Sequence, residues 1–317
     1  MSQIPIEVLQ CPVCHVGRLS SHSTALGDAL FCGRCSLSFP VAAGTPVLLR
    51  PDNDLFDTNK YVNAARNDKS SPERRTWFPT ASVNLSREQM LHRMAVELRS
   101  RPSPRILVLG AGRQRNRLQE FFHEVPELQI VATDIDLNSD VDYFCDAHDL
   151  PFADESFDGV ITTAVLEHVL QPARVADEIT RVLRLNGLVY SELPFMQQVH
   201  EGAYDFTRFS LSGHRRLFNA HHEIAAGMVA GPGTALVWAI EHFAAAFGPT
   251  PLAQKAARGA ARLLFFWLKY FDYLLVHRPN AMDGASCTFF LGRKFAGHVS
   301  DADIISRYRG SKQIRHV

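Results

Sequence analysis

Arg105-Ile106-Leu107-Val108-Leu109-Gly110-Ala111-Gly112 is the stretch that decides the fold. An apolar run of strand-forming residues breaks into two glycines, and a helix-compatible segment begins at once, so the stretch reads as strand, glycine turn, helix. A second apolar run, Leu128 to Thr133, ends in Asp134, about twenty residues past the turn. Glycines let the backbone approach a ligand with no side chain in the way. An acid at the end of the next strand can accept hydrogen bonds from two adjacent ribose hydroxyls. Together they predict a nucleotide-type ligand. A glycine turn alone also suits NAD enzymes and plain tight corners, so the discrimination rests on residues 146–190.

Asp146-Ala147 closes a third strand, and Leu150-Pro151-Phe152-Ala153-Asp154-Glu155-Ser156-Phe157-Asp158 leads into a fourth, Gly159-Val160-Ile161-Thr162. Leu166-Glu167-His168-Val169 comes next, then a helix from Pro172 to Leu183 and a fifth strand over Asn186-Gly187-Leu188-Val189-Tyr190. Such alternation predicts a parallel sheet covered by helices on both faces, with its ligand at the carboxyl ends of the strands. Taken in order, the string resembles the class I S-adenosylmethionine (SAM) dependent methyltransferases of the small-molecule type, over residues 84 to 220.

That resemblance implies an α/β, Rossmann-like sheet of seven strands. It implies SAM in the turn Gly110-Ala111-Gly112, with Asp134 on the ribose, Ile135 beside the adenine, Asp146 facing its exocyclic amine and the Ala147 backbone reading a ring nitrogen. Two positions depart from the family's pattern. An acid commonly stands two residues before the first glycine and a third glycine closes the loop; Val108 and Gln114 hold those places here. The departure removes an expected contact to the cofactor's amino group and leaves Arg113, Gln114 and Arg115 to shape the loop around its carboxylate.

The composition bounds the rest. A chain of 317 residues with 46% apolar content can bury a sizeable core and is long for one domain, so a main domain and a small one are expected. Lys and Arg balance Asp and Glu at 33 each, so no overall field draws the chain to nucleic acid. Four of the six cysteines fall in two CxxC pairs, while Cys145 and Cys287 stand alone. This usage points to metal thiolates in a reducing compartment, and hence to a cytoplasmic protein. Met1-Ser2-Gln3-Ile4-Pro5 lacks the basic and apolar regions of a secretion signal, and no apolar run approaches the ~20 residues that span a bilayer.

Cys11-Pro12-Val13-Cys14 and Cys32-Gly33-Arg34-Cys35 have the separation of a two-knuckle zinc site. Four thiolates close a tetrahedral shell with no open position, which predicts a structural Zn²⁺. With Phe39-Pro40-Val41 and Gly44-Thr45-Pro46-Val47-Leu48-Leu49, residues 1–50 resemble the small zinc-ribbon activators that partner methyltransferases acting on translation components. Fused here to a catalytic domain, the ribbon either braces it or anchors RNA. Residues 51–83 read as a linker that packs, since Tyr61, Trp77 and Phe78 are too apolar for a solvated tether, and a cofactor-covering role fits them. Ser86-Arg87-Glu88-Gln89 supplies a capping box for a helix to Ser100. The methyltransferase domain is expected over 84–300, with a helical insertion over 232–280 and a tail over 301–317.

Past the fifth strand, His200 to Phe218 is dense in aromatic, acidic and basic residues, as an acceptor pocket requires, and resembles a segment many of these enzymes carry beside the acceptor. The bland alternative is a loop in which Arg208 pairs with Asp205. A sixth strand is expected over Glu223 to Gly231 and a seventh over Ala285 to Gly292, with the insertion between them. Within it, Ala257, Ala260, Ala261, Leu264, Trp267, Leu268, Phe271, Leu274 and Leu275 make an apolar stripe at helical spacing on a helix from Gln254 to Val276. Three readings stay open for the insertion: a lid, a homodimer face, or peripheral membrane contact through 254–276.

Methyl transfer from a sulfonium is an in-line displacement with an activated leaving group, so alignment and exclusion of water are the protein's main contributions. A base is needed only where the acceptor must lose a proton. His200 and His168 are the catalytic candidates, with His214 as a third and Tyr204 and Asp205 as helpers; for His168 the alternative is a helix-start residue packed under the cofactor. The acceptor expected is a small or lipid-linked metabolite. One rival is an RNA or translation-factor methyltransferase docking through the ribbon, although only Arg18, Arg34 and Arg50 are cationic there. Another is a non-catalytic, SAM-binding zinc scaffold.

Overall fold

A computed structural model describes residues 8–24, 27–64 and 78–311. Trp77, the residues before Val8 and those after Ser311 lie outside them, and with them the expectations placed there. The cysteine-bearing segment forms strands β1 (Leu19–Thr24), β2 (Gly27–Cys32), β3 (Leu37–Ala42) and β4 (Thr45–Leu48), joined as antiparallel neighbours. Two helices follow, α1 (Thr58–Ala64) and α2 (Arg87–Leu98). The alternating part supplies β5 (Arg105–Leu109), α3 (Arg115–Phe121), β6 (Gln129–Asp134), β7 (Tyr143–Cys145), β8 (Phe157–Thr163), α4 (Pro172–Val182) and β9 (Leu183–Pro194). Pro172 starts α4 because its missing N–H costs nothing at a first helical position.

Backbone contacts divide the chain into two compact units. The first takes in the cysteine-bearing segment, His92–Thr163 and Gln171–Val189. Its strand order is β1-β2-β3-β4-β7-β6-β5-β8. The sequence predicts seven strands; the described residues contain eleven. The excess is the cysteine-bearing segment, whose last strand joins the alternating part: β4 runs parallel to β7, with Val47 opposite Phe144 and Leu48 opposite Cys145. Parallel pairing continues from β7 to β6, β6 to β5 and β5 to β8. Val47, Ile106, Leu107, Val131, Ala132 and Val160 have no exposed surface, as expected for strands covered on both faces.

The cysteine-bearing segment is held to the alternating part beyond β4 as well. Leu9 bridges Phe152, the Gln10 N–H donates to the Pro151 carbonyl at 3.0 Å, and the Ala153 N–H donates to the Val8 carbonyl at 2.8 Å. Leu9 is buried there, close to Phe152, whose ring packs edge-on against Phe157 at 5.0 Å.

The second unit comprises Ala164–Leu170, Tyr190 onward and the segment that enters α2. It contains α5 (Leu211–Leu217), β10 (His221–Ala230), α6 (Pro232–Ala246), α7 (Pro251–Phe265), α8 (Asp272–Leu275), β11 (Cys287–Lys294) and α9 (Asp301–Ser306). β10 and β11 pair antiparallel with irregularities at Glu223/Ala225 and Met228/Ala230. The insertion between them departs from its predicted single second helix. α7 starts at Pro251 behind a Thr250 cap and gives way at Phe266 to a 3-10 turn, Phe266–Phe271. The change of period brings Lys269 and Asp272 inward and leaves Leu264, Trp267, Phe271 and Leu274 of the expected stripe exposed. Lys269 donates to the Thr80 carbonyl and hydroxyl at 2.6 and 2.7 Å. Asp272, wholly buried, accepts from the Gly231, Gly233 and Thr234 amides at 3.0, 2.7 and 3.0 Å, so one carboxylate satisfies the N-terminus of α6. No described helix is long and apolar enough to cross a membrane.

Candidate active site

The strand ends of the first unit gather the residues predicted to hold the cofactor. In register, Leu109 lies beside Thr133 and Asp134 beside Phe144, so the ends of β5, β6 and β7 are neighbours. Gly110 and Gly112 both adopt positive φ, at 66° and 52°, a conformation that favours glycine. A side chain added at Gly112 would meet nothing within 4 Å, so the turn stands open. Asp134 ties the turn down: one carboxylate oxygen accepts from the Gly112 N–H at 2.7 Å, the other from Ile135 and Asp136 at 2.7 and 2.9 Å. The oxygen bonded to Gly112 keeps a second lone pair, so it has capacity for a ribose hydroxyl. An open, positively twisted glycine turn beside an anchored strand-end carboxylate fits SAM.

The segment before α2 reaches into the same place. Tyr61 of α1 donates its hydroxyl to the Ile135 carbonyl at 2.7 Å and packs on Phe144. Asn53 donates to one oxygen of Asp146 at 2.8 Å, and His148 engages the other through its backbone N–H and Nδ1 at 2.9 and 2.6 Å. Burial alone would raise the Asp146 pKa, but the bonds from His148 and Asn53 hold it below the usual carboxylate value. Ala147, between these two, is half-buried. In the glycine loop, Arg115 pairs with Asp142 at 2.7 Å, while Gln114 is exposed and makes no side-chain cap.

The second unit gathers the histidines. His168 and His200 face each other edge to face, with Nε2 atoms 3.1 Å apart. His168 Nδ1 lies 2.8 Å from the Tyr204 carbonyl; the Tyr204 side chain itself is 51% exposed, so this residue contributes its backbone. His200 Nδ1 is 3.3 Å from the Gln198 carbonyl and 3.4 Å from Asp205 Oδ2. Asp205 also receives the His200 backbone N–H at 2.9 Å and both terminal nitrogens of Arg208. The Arg208 guanidinium, with that N–H, holds the Asp205 carboxyl well below its ordinary range. His214 stands apart: it is buried between Ser191 and Thr288, bonded to both hydroxyls at 3.0 and 3.1 Å.

Glu167 was predicted only as part of a motif, yet it is the most unusual residue of this cluster. Its side chain is 0% exposed and neither carboxylate oxygen has a hydrogen-bond partner. One oxygen sits 3.7 Å from His168 Nε2 and 3.9 Å from His200 Nε2. Burial pushes its pKa up to about 7, and the Asp205 and Glu192 carboxylates add to the rise. Burial also lowers the His168 pKa. A second cluster was likewise unforeseen: half-buried Arg87 grips the buried Glu192 with two bonds at 2.8 and 2.5 Å, and buried Tyr190 donates to Glu192 at 2.5 Å. The available signal was a glutamate inside the apolar strand Leu188 to Leu193. Beside the histidines, a pocket of about 540 Å³ is lined by Gln197, Val199, Asp205, Phe206, Arg208 and His242 among others.

At the N-terminal cluster, Cys11 and Cys35 bring their sulfurs to 3.5 Å and Cys14 and Cys32 to 3.8 Å, all four lying within 4.8 Å of one another. Sulfurs about 2.3 Å from a tetrahedral Zn²⁺ are about 3.8 Å apart, so the set is compatible with zinc. Gly17 donates its N–H to Cys14 Sγ at 3.3 Å, and a side chain there would collide with Cys32 Sγ.

The family described as a methyltransferase domain matches residues 108–191, which run from within β5 to within β9 and take in the glycine turn and the strand ends beside it. That stretch is a class I SAM-dependent methyltransferase domain. The chain is a SAM-dependent methyltransferase that carries, in addition, a four-cysteine cluster compatible with zinc. Among curated proteins none matches it. Among solved structures, a chain of the Haloferax volcanii Trm112 methyltransferase-activator complex is 18% identical, with 66% of this chain and 91% of that one covered at a TM-score of 0.42. Phosphoethanolamine N-methyltransferase 2 of Haemonchus contortus in complex with SAM is 16% identical, with 66% and 53% covered at 0.41. The 1,6-didemethyltoxoflavin-N1-methyltransferase of Burkholderia thailandensis is 14% identical, with 66% and 80% covered at 0.37.

Proposed function

We propose that the chain transfers the methyl group of SAM to a small or lipid-linked metabolite, with the pocket beside His200 as the acceptor site and zinc in a structural role. The cofactor supplies an electrophilic methyl on a sulfonium, an activated leaving group that asks little acid–base help of the protein. Gly110, Ala111 and Gly112 admit the cofactor to the backbone, Asp134 takes the ribose, Ile135 and Ala147 border the adenine, and Asp146 meets its amine with Asn53 and His148 already bonded to it. On the acceptor side, Arg208 fixes Asp205, and Asp205 with the Gln198 carbonyl orients His200. Proton handling falls to His200 and His168, whose Nε2 atoms turn away from their carbonyl partners.

The observation that carries this reading is the open glycine turn with its anchored Asp134; within the second unit, the pocket lined by Asp205 and Arg208, the residues that orient His200, supports it. Of the two acceptor types, the insertion favours the lipid-linked one. Phe247 and Leu274 are 75% and 71% exposed, with Phe243, Leu252 and Leu264 exposed as well, and Lys255 and Arg258 are exposed on the same α7. Apolar and basic groups together suit an interface with anionic headgroups. The test incubates the purified chain and methyl-labelled SAM with lipid extract, soluble metabolites and RNA in separate reactions. Label should enter the lipid fraction, and His200→Ala should cut its rate about a hundredfold or more while sparing SAM affinity. Label confined to RNA, or an unchanged rate in the variant, contradicts the reading.

A further inference from the structure

We propose that Glu167, His168 and His200 hold a divalent transition-metal cation, a second metal site separate from the four cysteines. Each residue offers one ligand atom, and the three atoms lie within 4.8 Å of one another.

The tautomers are set by the neighbours. A carbonyl can only accept, so His168 Nδ1 at the Tyr204 carbonyl carries the hydrogen, and so does His200 Nδ1 at the Gln198 carbonyl. Both Nε2 atoms of the neutral rings are then bare lone pairs. They face each other at 3.1 Å, beside a buried carboxylate with no donor on either oxygen. Three electron-rich groups converge, and Arg208, the cation whose charge reaches Glu167, is itself bonded to Asp205 and gives neither Glu167 oxygen a hydrogen bond.

A proton between the rings would relieve the two nitrogens but not the carboxylate, since its oxygen is 3.7 and 3.9 Å from them, beyond hydrogen-bond reach. A cation serves all three at once. Ligand atoms about 2.1 Å from a metal stand about 3.0–3.5 Å from each other, so the nitrogens are already at ligand spacing and the carboxylate need close by only a few tenths of an ångström. Carbonyl partners on the far nitrogens, with Asp205 behind His200, are how proteins orient metal-bound imidazoles. Two imidazoles and one carboxylate suit Zn²⁺, Fe²⁺ or Mn²⁺ and leave open positions, unlike the closed cysteine cluster.

The inference deepens the reading of the acceptor site, because Asp205 belongs both to the pocket wall and to the support of His200, and the Phe206 and Thr207 amides donate to the Glu167 carbonyl at 2.8 and 3.3 Å. With the cation seated, proton handling passes from the two imidazoles to the cation that they hold. An acceptor oxygen bound to the cation is made more acidic by it.

The test titrates the full chain, its cysteine site loaded with zinc, with Co²⁺ alone, followed by calorimetry and visible absorption. One further equivalent should bind, with cobalt bands free of thiolate charge transfer. Glu167→Gln, which keeps shape, should weaken it about a hundredfold, and His200→Asn should remove it, in variants that melt like the parent. Absence of the second equivalent in the parent overturns the proposal, as does cobalt taken up only with thiolate bands or bound equally by parent and variants. SAM affinity is measured in the same samples: its loss with cobalt binding kept would fail the methyl-transfer reading and leave the metal site standing.

Discussion

At the scale of single residues, burial decides what a titratable group can do. His214 and His221 are enclosed in the second unit, and burial pushes both to about 3, with the Arg215 and Lys294 charges adding to the depression. His214 is bonded to two hydroxyls, whereas neither ring nitrogen of His221 has a partner. Unfolded, each would titrate near 6.5, so between about 6.5 and 3 the unfolded chain binds more protons. Their contribution is therefore complete above neutral pH and is lost on acidification, at about 1.4 kcal/mol per pH unit for each ring. Replacing His221 with Leu removes an unpartnered polar ring, so the variant should melt no lower than the parent at pH 7 and lose less stability by pH 4. A melting temperature that falls equally in both refutes the assignment. Residue-scale reading of the sequence located His168, His200 and Asp205 but passed over Glu167. The sequence places a glutamate beside a histidine; only the packed structure shows that its carboxylate is sealed from water with no donor.

At the scale of elements, what was legible was local and what was missed was tertiary. The strand over Ile106–Leu109, its glycine turn and the cysteine knuckles are each written in a few adjacent residues, where backbone preference and ligand spacing act directly. The apolar stripe on the insertion was readable too, but periodicity says nothing about which neighbour covers a face. The break to a 3-10 turn at Phe266 rotates Lys269 and Asp272 inward, to Thr80 and to the end of α6, and these polar anchors take the place the stripe was expected to fill. Nor does any residue of β4 announce a parallel partner a hundred positions away in β7. That pairing is what a bracing role for the cysteine-bearing segment requires. Structural zinc in small peptide sites is worth about 10–16 kcal/mol, so chelation should lower the melting temperature of the whole first unit and not merely unfold the ribbon. Near-ultraviolet circular dichroism during a melt with and without chelator checks this. An unchanged transition for Tyr61 and Tyr143, aromatic residues beyond the ribbon, would remove the bracing role.

At the scale of the whole molecule, the chain combines an alternating strand-and-helix unit with a second unit that carries the histidine cluster and the insertion. Zero net charge offers no long-range attraction to RNA, which agrees with a metabolite as acceptor and places the burden of recognition on local groups. The account depends most on SAM occupying the glycine turn despite Val108 and Gln114. Isothermal titration of the zinc-loaded chain with SAM, and with its demethylated product, tests that directly. The account predicts micromolar binding of both, weakened by about tenfold or more in Asp134→Ala, which loses both the ribose acceptor and the anchor of Gly112. No detectable binding to the parent chain, or binding that Asp134→Ala leaves unchanged, would contradict it.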